Sequence, residues 1–297
     1  MTGLADWLAD WSPPAQRWSG QVTGWSVGAF AGLLDQPEPG LERPVVPPMW
    51  QLFGCLAHPA QAELGPDGHP LSGPFMPPIP DRRRMFAGGR WRETRPLPVD
   101  ARIDCAAEVV SVRVTTGRSG ELAFVTVRTR YSVDGEPSVQ EEQDLVYRSQ
   151  PDAPPGQRTG TNPAVPVRPS DGAPAAEVTT DHQLTLTPDR TLLFRFSALT
   201  YNAHRIHYDE AYATGVEGHP GLVVHGPLLA LLALEVPRRN DPSRRVVEFD
   251  YRLRRPAFLG DPLRASGRPD PDWELAVGVP GGAPSLTATA RSAGVPS

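Results

Sequence analysis

Two histidines, an asparagine and an aspartate lie close together in the second half of the sequence: Asn202, His204, His207 and Asp209. Imidazole exchanges protons near neutral pH, and amide or carboxylate groups hold water or take part in proton transfer. The cluster therefore predicts acid–base chemistry. Asn202 and His207 are five residues apart, a spacing that places them on different faces of a regular helix, so we expect a bend to bring them together.

A glycine-rich stretch, residues 218–226, follows this cluster and ends at His225 and Gly226. The next residues, 227–236, are apolar on every side and begin with a proline, which predicts a buried helix of about three turns. The first N–H groups of such a helix have no partner within it and could stabilise negative charge on a substrate oxygen. The glycine would let that oxygen approach closely.

A metal site is an alternative interpretation of the same residues, with His204, His207, His225 and Asp209 as ligands. Neither an H-E-x-x-H motif nor a cysteine pair accompanies them. We therefore expect no metal and no cofactor. His204 and His225 fit structural hydrogen bonding as well as chemistry.

The stretch from Phe196 to Ala213, FSALTYNAHRIHYDEAYA, resembles the hydratase motif of MaoC-like enoyl-thioester hydratases. It is most similar to the branch that contains hydroxyacyl-thioester dehydratase type 2 and mesaconyl-C4-CoA hydratase. The resemblance continues in GLVVHGPL from Gly221, in GPFMPPIP from Gly73 and in RMFAGG from Arg84. These segments fall in both halves of the chain.

This resemblance implies an α+β double hotdog fold, in which each half wraps a curved antiparallel sheet around a helix. It also implies reversible addition of water to the 2,3-double bond of a thioester. His207 falls on the catalytic histidine and Gly226 on the position that stabilises the oxyanion. Asn202 stands where the wider family has aspartate, and His204 and Arg205 replace its Asn-Pro pair, so the second proton donor is open between His207 itself, Asp209 and His225.

The substrate that the resemblance favours is a CoA ester such as mesaconyl-C4-CoA or a related short-chain enoyl-CoA. A 3-hydroxyacyl carrier-protein dehydratase and a non-catalytic acyl-thioester binding module are the alternatives. We expect substrate contacts from six residues: Tyr201, Arg205, Val224, His225, Arg84 and Arg90. The arginines from 82 to 90 fit either a solvated face or phosphate binding.

Composition limits the function classes. The chain has 297 residues, a net charge of −5 and a pI near 5.8, which gives no electrostatic reason to expect nucleic acid or an anionic membrane as partner. Its two cysteines, Cys55 and Cys105, lack metal-ligand spacing and favour a reduced, cytoplasmic protein. No apolar run approaches membrane-spanning length. Monomer and homodimer are both compatible with the sequence.

The domain organisation follows from a break in composition. Residues 151–176 are rich in proline, glycine and alanine without apolar periodicity, which predicts a linker between an N-terminal domain, 1–150, and a C-terminal domain, 177–297. Helices are predicted over 4–11 and 24–34. Strands are predicted over 101–115, 122–133, 139–147, 182–187, 191–196, 244–254, 263–267, 274–279 and 285–291.

Overall fold

One antiparallel sheet of ten strands organises the chain in a computed structural model that describes residues 3–36, 45–73, 75–80, 82–117, 120–149 and 182–294. The helices are α1 (Leu4–Leu8), α2 (Gly24–Leu33), α3 (Arg190–Leu199), α4 (Glu210–Gly215) and α5 (Gly226–Asn240). The strands are β1 (Gln16–Gly20), β2 (Arg82–Glu93), β3 (Ile103–Gly117), β4 (Gly120–Val133), β5 (Glu136–Ser149), β6 (Gln183–Leu186), β7 (Arg244–Leu253), β8 (Leu263–Pro269), β9 (Trp273–Gly278) and β10 (Leu286–Gly294).

The sheet consists of two five-stranded halves with the same internal order. From its outer edge, the N-terminal half runs β1-β3-β4-β5-β2, and the C-terminal half runs β6-β8-β9-β10-β7. In each half one main helix, α2 or α5, comes between the first and second strands of that half in the chain. The halves join where β2 pairs with β7, from Gly88 opposite Arg252 to Arg92 opposite Glu248. This duplicated layout agrees with the predicted α+β class.

Helix α5 is the most buried element, because apolar residues surround it as the sequence predicts. Residues 228 to 237 are all buried, and the helix contacts every strand of the C-terminal half. It includes one acidic residue, Glu235, which is 1% exposed and pairs with Arg238 and Arg239 on the next turn. Such a core cannot rotate without exposing leucines, so the start of α5 is held in one place.

An aromatic cluster ties α2 to α3. The Phe30 ring on α2 meets Trp50 edge-on with ring centroids 4.8 Å apart, and it lies 6.2 Å from Phe196 on α3. Phe53, from the 3-10 turn Trp50–Phe53, contacts both phenylalanines. The two halves therefore share one continuous apolar core.

The predicted strand over 191–196 is wrong, because these residues form helix α3. Asp189 caps the helix by accepting a hydrogen bond from the Leu192 N–H at 2.7 Å. Leu193 and Phe196 are buried while Phe194 is exposed, which is the spacing of one helix face. A short apolar run has no periodicity long enough to distinguish helix from strand.

Strand β2 was not predicted, because its arginines resemble a solvated run. In the sheet their charges meet carboxylates on the neighbouring strands: Arg90 pairs with Glu142 and Asp144 on β5, and Arg92 pairs with Asp250 on β7. The other eight predicted strands correspond to β3 to β10, and their bounds agree with the structure within a few residues. The predicted linker, 151–176, lies outside the described residues, so the domain boundaries stay predictions.

Within the described ranges, no helix is both long and apolar enough to cross a membrane. The two cysteines are free and buried.

Adjacent residues on α3 provide a test of this core. We expect Leu193→Ala to lower the free energy of unfolding by about 2–5 kcal/mol, because it leaves a cavity beneath a fully buried side chain. Phe194→Ala removes a larger side chain that is 65% exposed, and we expect a change within about 0.5 kcal/mol. Urea denaturation of both variants measures the contrast; equal losses would contradict the position of α3.

Candidate active site

His207 lies in a 3-10 turn, Arg205–His207, between α3 and α4, and its side chain points inwards. It is 7% exposed, and its Nδ1 lies 2.8 Å from the carbonyl oxygen of Val223. A carbonyl can only accept, so Nδ1 carries the proton and Nε2 keeps a free lone pair. Burial lowers the pKa of His207 to about 4, although the bond to Val223 opposes that shift. The ring is therefore a neutral base at neutral pH.

The same bond places His207 beside the start of α5. Val223 also donates its N–H to the Ile206 carbonyl at 2.9 Å, so the two segments are joined by backbone as well as side chain. On its other side, Val224 donates to Ala257 at 2.8 Å. Three residues after Val223 the chain enters α5 at Gly226. The prediction that His207 and Gly226 occupy one site agrees with this arrangement.

Gly226 is the first residue of α5, and a larger residue there would force neighbouring side chains to shift. A Cβ at this position would lie 2.6 Å from Leu253 Cδ1 and 2.9 Å from Phe86 Cδ1. Pro227 follows within the first turn and has no N–H to donate, so the free N–H groups at the helix entrance belong to its neighbours, Gly226 and Leu228. The positive end of the helix dipole lies at the same point.

His225 supports His207 from behind. The two rings stack with centroids 3.7 Å apart and planes 19° apart, and His225 Nε2 lies 2.8 Å from the Ser197 hydroxyl. His225 is fully buried, and burial, followed by the charge of His207, holds its pKa well below the ordinary value. Its Nδ1 has no hydrogen-bond partner in the described part of the chain. This residue thus positions His207, whereas the sequence predicted a substrate contact.

Asn202 and His204 belong to the bend that the sequence predicts before His207. Tyr201 adopts a left-handed conformation, with φ of 49°, which ends α3 and turns the chain. Asn202 Oδ1 accepts the His204 N–H at 2.9 Å, so the amide nitrogen is the part of this side chain that can donate to a ligand. The His204 ring stands edge-on to His207, with centroids 5.5 Å apart.

A cavity of about 670 Å³ connects these groups, and both halves of the chain form its walls. Five of the predicted site residues line it: Arg84, Asn202, His207, Val224 and Gly226. His204, for which the sequence left structural and chemical roles open, lines it as well. Phe86 on β2 and Leu253 on β7 contribute apolar surface next to Gly226. The cavity can therefore hold an acyl chain with its carbonyl oxygen at the start of α5.

Asp209, which the sequence offered as a second proton donor, has a structural role instead. One oxygen accepts the Tyr212 N–H and caps α4, and the other accepts from Arg205 at 2.7 Å. These bonds, first that of Tyr212, lower the pKa of Asp209. A carboxylate that is held in this way is a poor acid.

Three predicted substrate contacts also lie elsewhere. Arg205 pairs with Asp209 and lies over the Tyr212 ring, 4.1 Å from its centroid. Tyr201 is 63% exposed, because its left-handed backbone turns the side chain outwards. Arg90 is held by Glu142 and Asp144 beside a second cavity at β2, β4 and β5.

Among the arginines that line the main cavity, two that are not exposed, Arg84 and Arg148, have no side-chain partner in the described part of the chain. Within the described residues, neither Arg84 nor Arg148 makes a hydrogen bond or an ion pair, and Arg148 is only 9% exposed. Burial, followed by the charge of Arg83, lowers the pKa of Arg148. Arg83 itself pairs with Glu217 at 3.3 Å. The cavity thus contains positive charge that an anionic ligand would neutralise.

Asp67 and His69 are cavity residues that the sequence analysis missed. They lie in a loop between prolines, and only tertiary contacts bring them to the hydratase segment. In the sequence, the only indication of these cavity residues was the succession of Asp67, Gly68 and His69.

The metal interpretation is not supported for the predicted set, since Asp209 binds Arg205 and His225 binds Ser197. Asp67, His69 and His204 bring ligand atoms within 4.8 Å of one another. Asp67 and His69 are already bonded to each other at 3.1 Å, so we treat them as a hydrogen-bonded pair beside His204.

Comparison with solved structures identifies the fold. HtdX from Mycobacterium tuberculosis superposes with a TM-score of 0.60 at 18% identity, over 95% of this chain and all of that one. A conserved M. tuberculosis protein with a double hotdog fold gives a TM-score of 0.52 at 15% identity, over 95% of this chain and 96% of that one. The predicted double hotdog fold is confirmed.

Comparison of sequences identifies the family. The mesaconyl-C4-CoA hydratase of Chloroflexus aurantiacus is 41% identical over 294 residues, which is 98% of this chain and 99% of that protein. The model of hydroxyacyl-thioester dehydratase type 2 matches residues 52–259. The chain therefore belongs to the hydroxyacyl-thioester dehydratase type 2 family, as its hydratase motif predicts.

Proposed function

We propose that this protein is a hydro-lyase that reversibly adds water to the 2,3-double bond of an enoyl-CoA, with mesaconyl-C4-CoA as the preferred type of substrate. The observation that carries the proposal is a buried, neutral His207 whose free nitrogen shares a cavity with the glycine at the start of α5. Binding of an acyl thioester alone would not require such a base.

Hydration begins at C3, where water must lose a proton as it attacks. His207 Nε2 is the base, because Nδ1 is committed to Val223 and holds the ring in one tautomer. Asn202, through its amide nitrogen, orients the water or the thioester. An Asn cannot exchange a proton at C2, so its role is positioning.

The thioester oxygen gains negative charge as the C3–O bond forms. The Gly226 N–H, at the positive end of a buried helix, can donate to that oxygen, and the apolar side chains of Phe86 and Leu253 lie beside it. A fixed donor of this kind stabilises the enolate more than the ground-state carbonyl.

A CoA ester with a free carboxylate suits the cavity. The relative that matches over the full length is named for mesaconyl-C4-CoA, an ester that keeps one carboxylate. Arg84 and Arg148 supply unpaired positive charge in the cavity, and a guanidinium binds a carboxylate with two hydrogen bonds. A carrier-protein dehydratase for unbranched acyl chains would have no use for these charges.

The state of the two cysteines bears on the compartment in which the protein works. The free, buried Cys55 and Cys105 fit a reducing compartment, and we place the protein in the cytoplasm. Each chain contributes both halves of its cavity, so a monomer suffices for activity, and a homodimer is equally compatible.

We expect His207→Asn to lower kcat for hydration of mesaconyl-C4-CoA by about 10²–10⁴-fold. The asparagine amide can still donate to Val223, so the fold is kept while the base is lost. Loss of the conjugated thioester absorbance measures the rate. His58→Asn, on an exposed residue, is the matched control and should retain wild-type activity. Full turnover by His207→Asn would reject the assignment and favour a binding module.

The pH dependence tests the state of His207. With a pKa of about 4, the ring stays neutral as the pH falls from 7.5 to 5.5, so kcat/KM should change by less than about twofold. A histidine with the ordinary pKa of about 6.5 would lose about tenfold over that range. Activity should fall only as the pH approaches about 4, where His207 takes up a proton. An acid limb near pH 6.5 would contradict the buried position of the base.

Substitution of Arg148 tests the substrate class. We expect Arg148→Met to raise KM for mesaconyl-C4-CoA by roughly 10–100-fold, the loss of a charged hydrogen bond, and to leave KM for crotonyl-CoA unchanged. Arg195→Met, on the exposed face of α3, makes the same change in net charge and should alter neither. Equal losses on both esters would place Arg148 at the CoA moiety and exclude the carboxylate assignment.

A further inference from the structure

The loop from Leu64 to Pro70 is a small, internally bonded unit. Leu64 and Pro70 form an antiparallel bridge, the Gly65 N–H donates to the His69 carbonyl at 2.7 Å, and the Gly68 N–H donates to the Gly65 carbonyl at 3.0 Å. A loop that satisfies its own backbone groups in this way holds a defined shape. It presents Asp67 and His69 to the cavity.

This loop is docked on the hydratase segment. The Arg205 N–H donates to the Asp67 carbonyl at 2.9 Å, and the Arg205 guanidinium donates to the Pro66 carbonyl at 2.9 Å. Gly68 has a φ of 87°, and a Cβ there would lie 1.8 Å from the Ala203 carbonyl oxygen. The backbones therefore touch, and the position of the loop relative to His204 and His207 is fixed.

Asp67 orients His69. The carboxylate accepts the backbone N–H of His69 at 3.0 Å with one oxygen and faces His69 Nδ1 at 3.1 Å with the other. Burial raises the pKa of Asp67, but the bonds and charge of His69 outweigh it, so the net pKa is lowered and the group is ionised. An ionised carboxylate only accepts, so Nδ1 carries the proton and Nε2 is free.

His69 is close to the catalytic histidine through one intermediate ring. Its ring lies 4.0 Å from that of His204, which lies 5.5 Å from that of His207. All three rings line the same cavity. Burial lowers the pKa of both His69 and His204; Arg84 lowers both further, and Asp67 opposes the shift in His69. The three imidazoles therefore rest neutral at pH 7.

The reaction needs a group that exchanges the proton at C2. Of the three residues considered for that role, Asp209 caps α4, His225 lies behind His207, and His207 itself is assigned to the water at C3. We propose that His69, held by Asp67, is this second acid and base, acting at C2 while His207 acts on the water at C3. The inference rests on the proposed hydratase function.

The proton balance closes without an external acid. Water gives its hydroxide to C3, forming the C3–O bond, and its proton to His207 Nε2. A proton returns through His204 to His69 Nε2, where the Asp67 carboxylate stabilises the imidazolium. His69 then protonates C2 as the enolate collapses, and all three rings are neutral again. Dehydration follows the reverse course, with His69 as the base that removes the C2 proton.

His69→Asn tests the inference, because its amide can still donate to Asp67. We expect kcat for hydration to fall by about 10²–10³-fold, with His58→Asn as the control at wild-type rate. Dehydration of a 3-hydroxyacyl-CoA deuterated at C2 is the decisive measurement. Loss of the C2 base makes that step limiting, so the primary isotope effect should rise above that of the wild type in His69→Asn and stay at or below it in His207→Asn.

Asp67 is a positioning residue, and its test is separate. Asp67→Asn removes the charge that stabilises the His69 imidazolium and should lower kcat about tenfold or more, whereas Asp67→Glu should restore part of it. The pH profile of Asp67→Asn should also change, because Asp67, Arg84 and Glu217 set the charge around His69 and the His204 ring packs against it. A defect in folding alone would leave the profile unchanged.

The outcomes separate the two proposals. A wild-type protein that hydrates no enoyl-CoA would refute the hydratase function itself. If the wild type is active, two results for His69→Asn would refute only the role of His69. One is a kcat within threefold of the wild-type value, and the other is an unchanged isotope effect. Loss of wild-type activity in EDTA that Zn²⁺ restores would mean that the three side chains hold a metal, and would also overturn the inference.

Discussion

The hydrogen bond from His207 Nδ1 to the Val223 carbonyl is the interaction on which the site depends. It fixes the tautomer of the base, and it joins a bend between two helices to the strand-like segment that leads into α5. Because Val223 and Val224 are bonded on both sides, this carbonyl has little freedom. The bend is thereby held as firmly as the core, which gives the His207 side chain the fixed position that the proposed catalytic role requires.

Burial is the main cause of the lowered histidine pKa values in this site. His207, His204, His69 and His225 all have lowered pKa values, and desolvation is the largest cause for each. A group of four imidazoles in contact would repel one another if charged, so the low-dielectric surroundings keep them neutral and able to accept protons. The positive charge of Arg84 makes protonation of His69 and His204 still less favourable, and Arg84 and Arg148 together would give an anionic substrate a counter-charge.

The sequence was informative where periodicity or a motif is local. The apolar run after Gly226 predicted α5, and alternating residues predicted most of the sheet. The hydratase motif indicated His207, which the structure places in the cavity and whose role stays a prediction. It failed where tertiary contacts decide. The loop with Asp67 reaches His204 through backbone bonds that no spacing encodes, and Asp209, although inside the motif, is taken up by a helix cap. The short run at Leu193 folds as a helix because Asp189 caps its start and Phe196 packs against Phe30.

The join between β2 and β7 has a consequence for the position of Phe86 in the cavity wall. A bulge interrupts the register of β2 between Phe86 and Gly88, and a Cβ on Gly88 or Gly89 would lie 2.3–2.4 Å from the backbone of a neighbouring strand. The backbones of β5, β2 and β7 are thus packed closely at Gly88 and Gly89, next to Phe86, whose side chain faces Gly226. The main chain beside the bulge therefore has little room to move, which holds the Phe86 side chain in place next to Gly226.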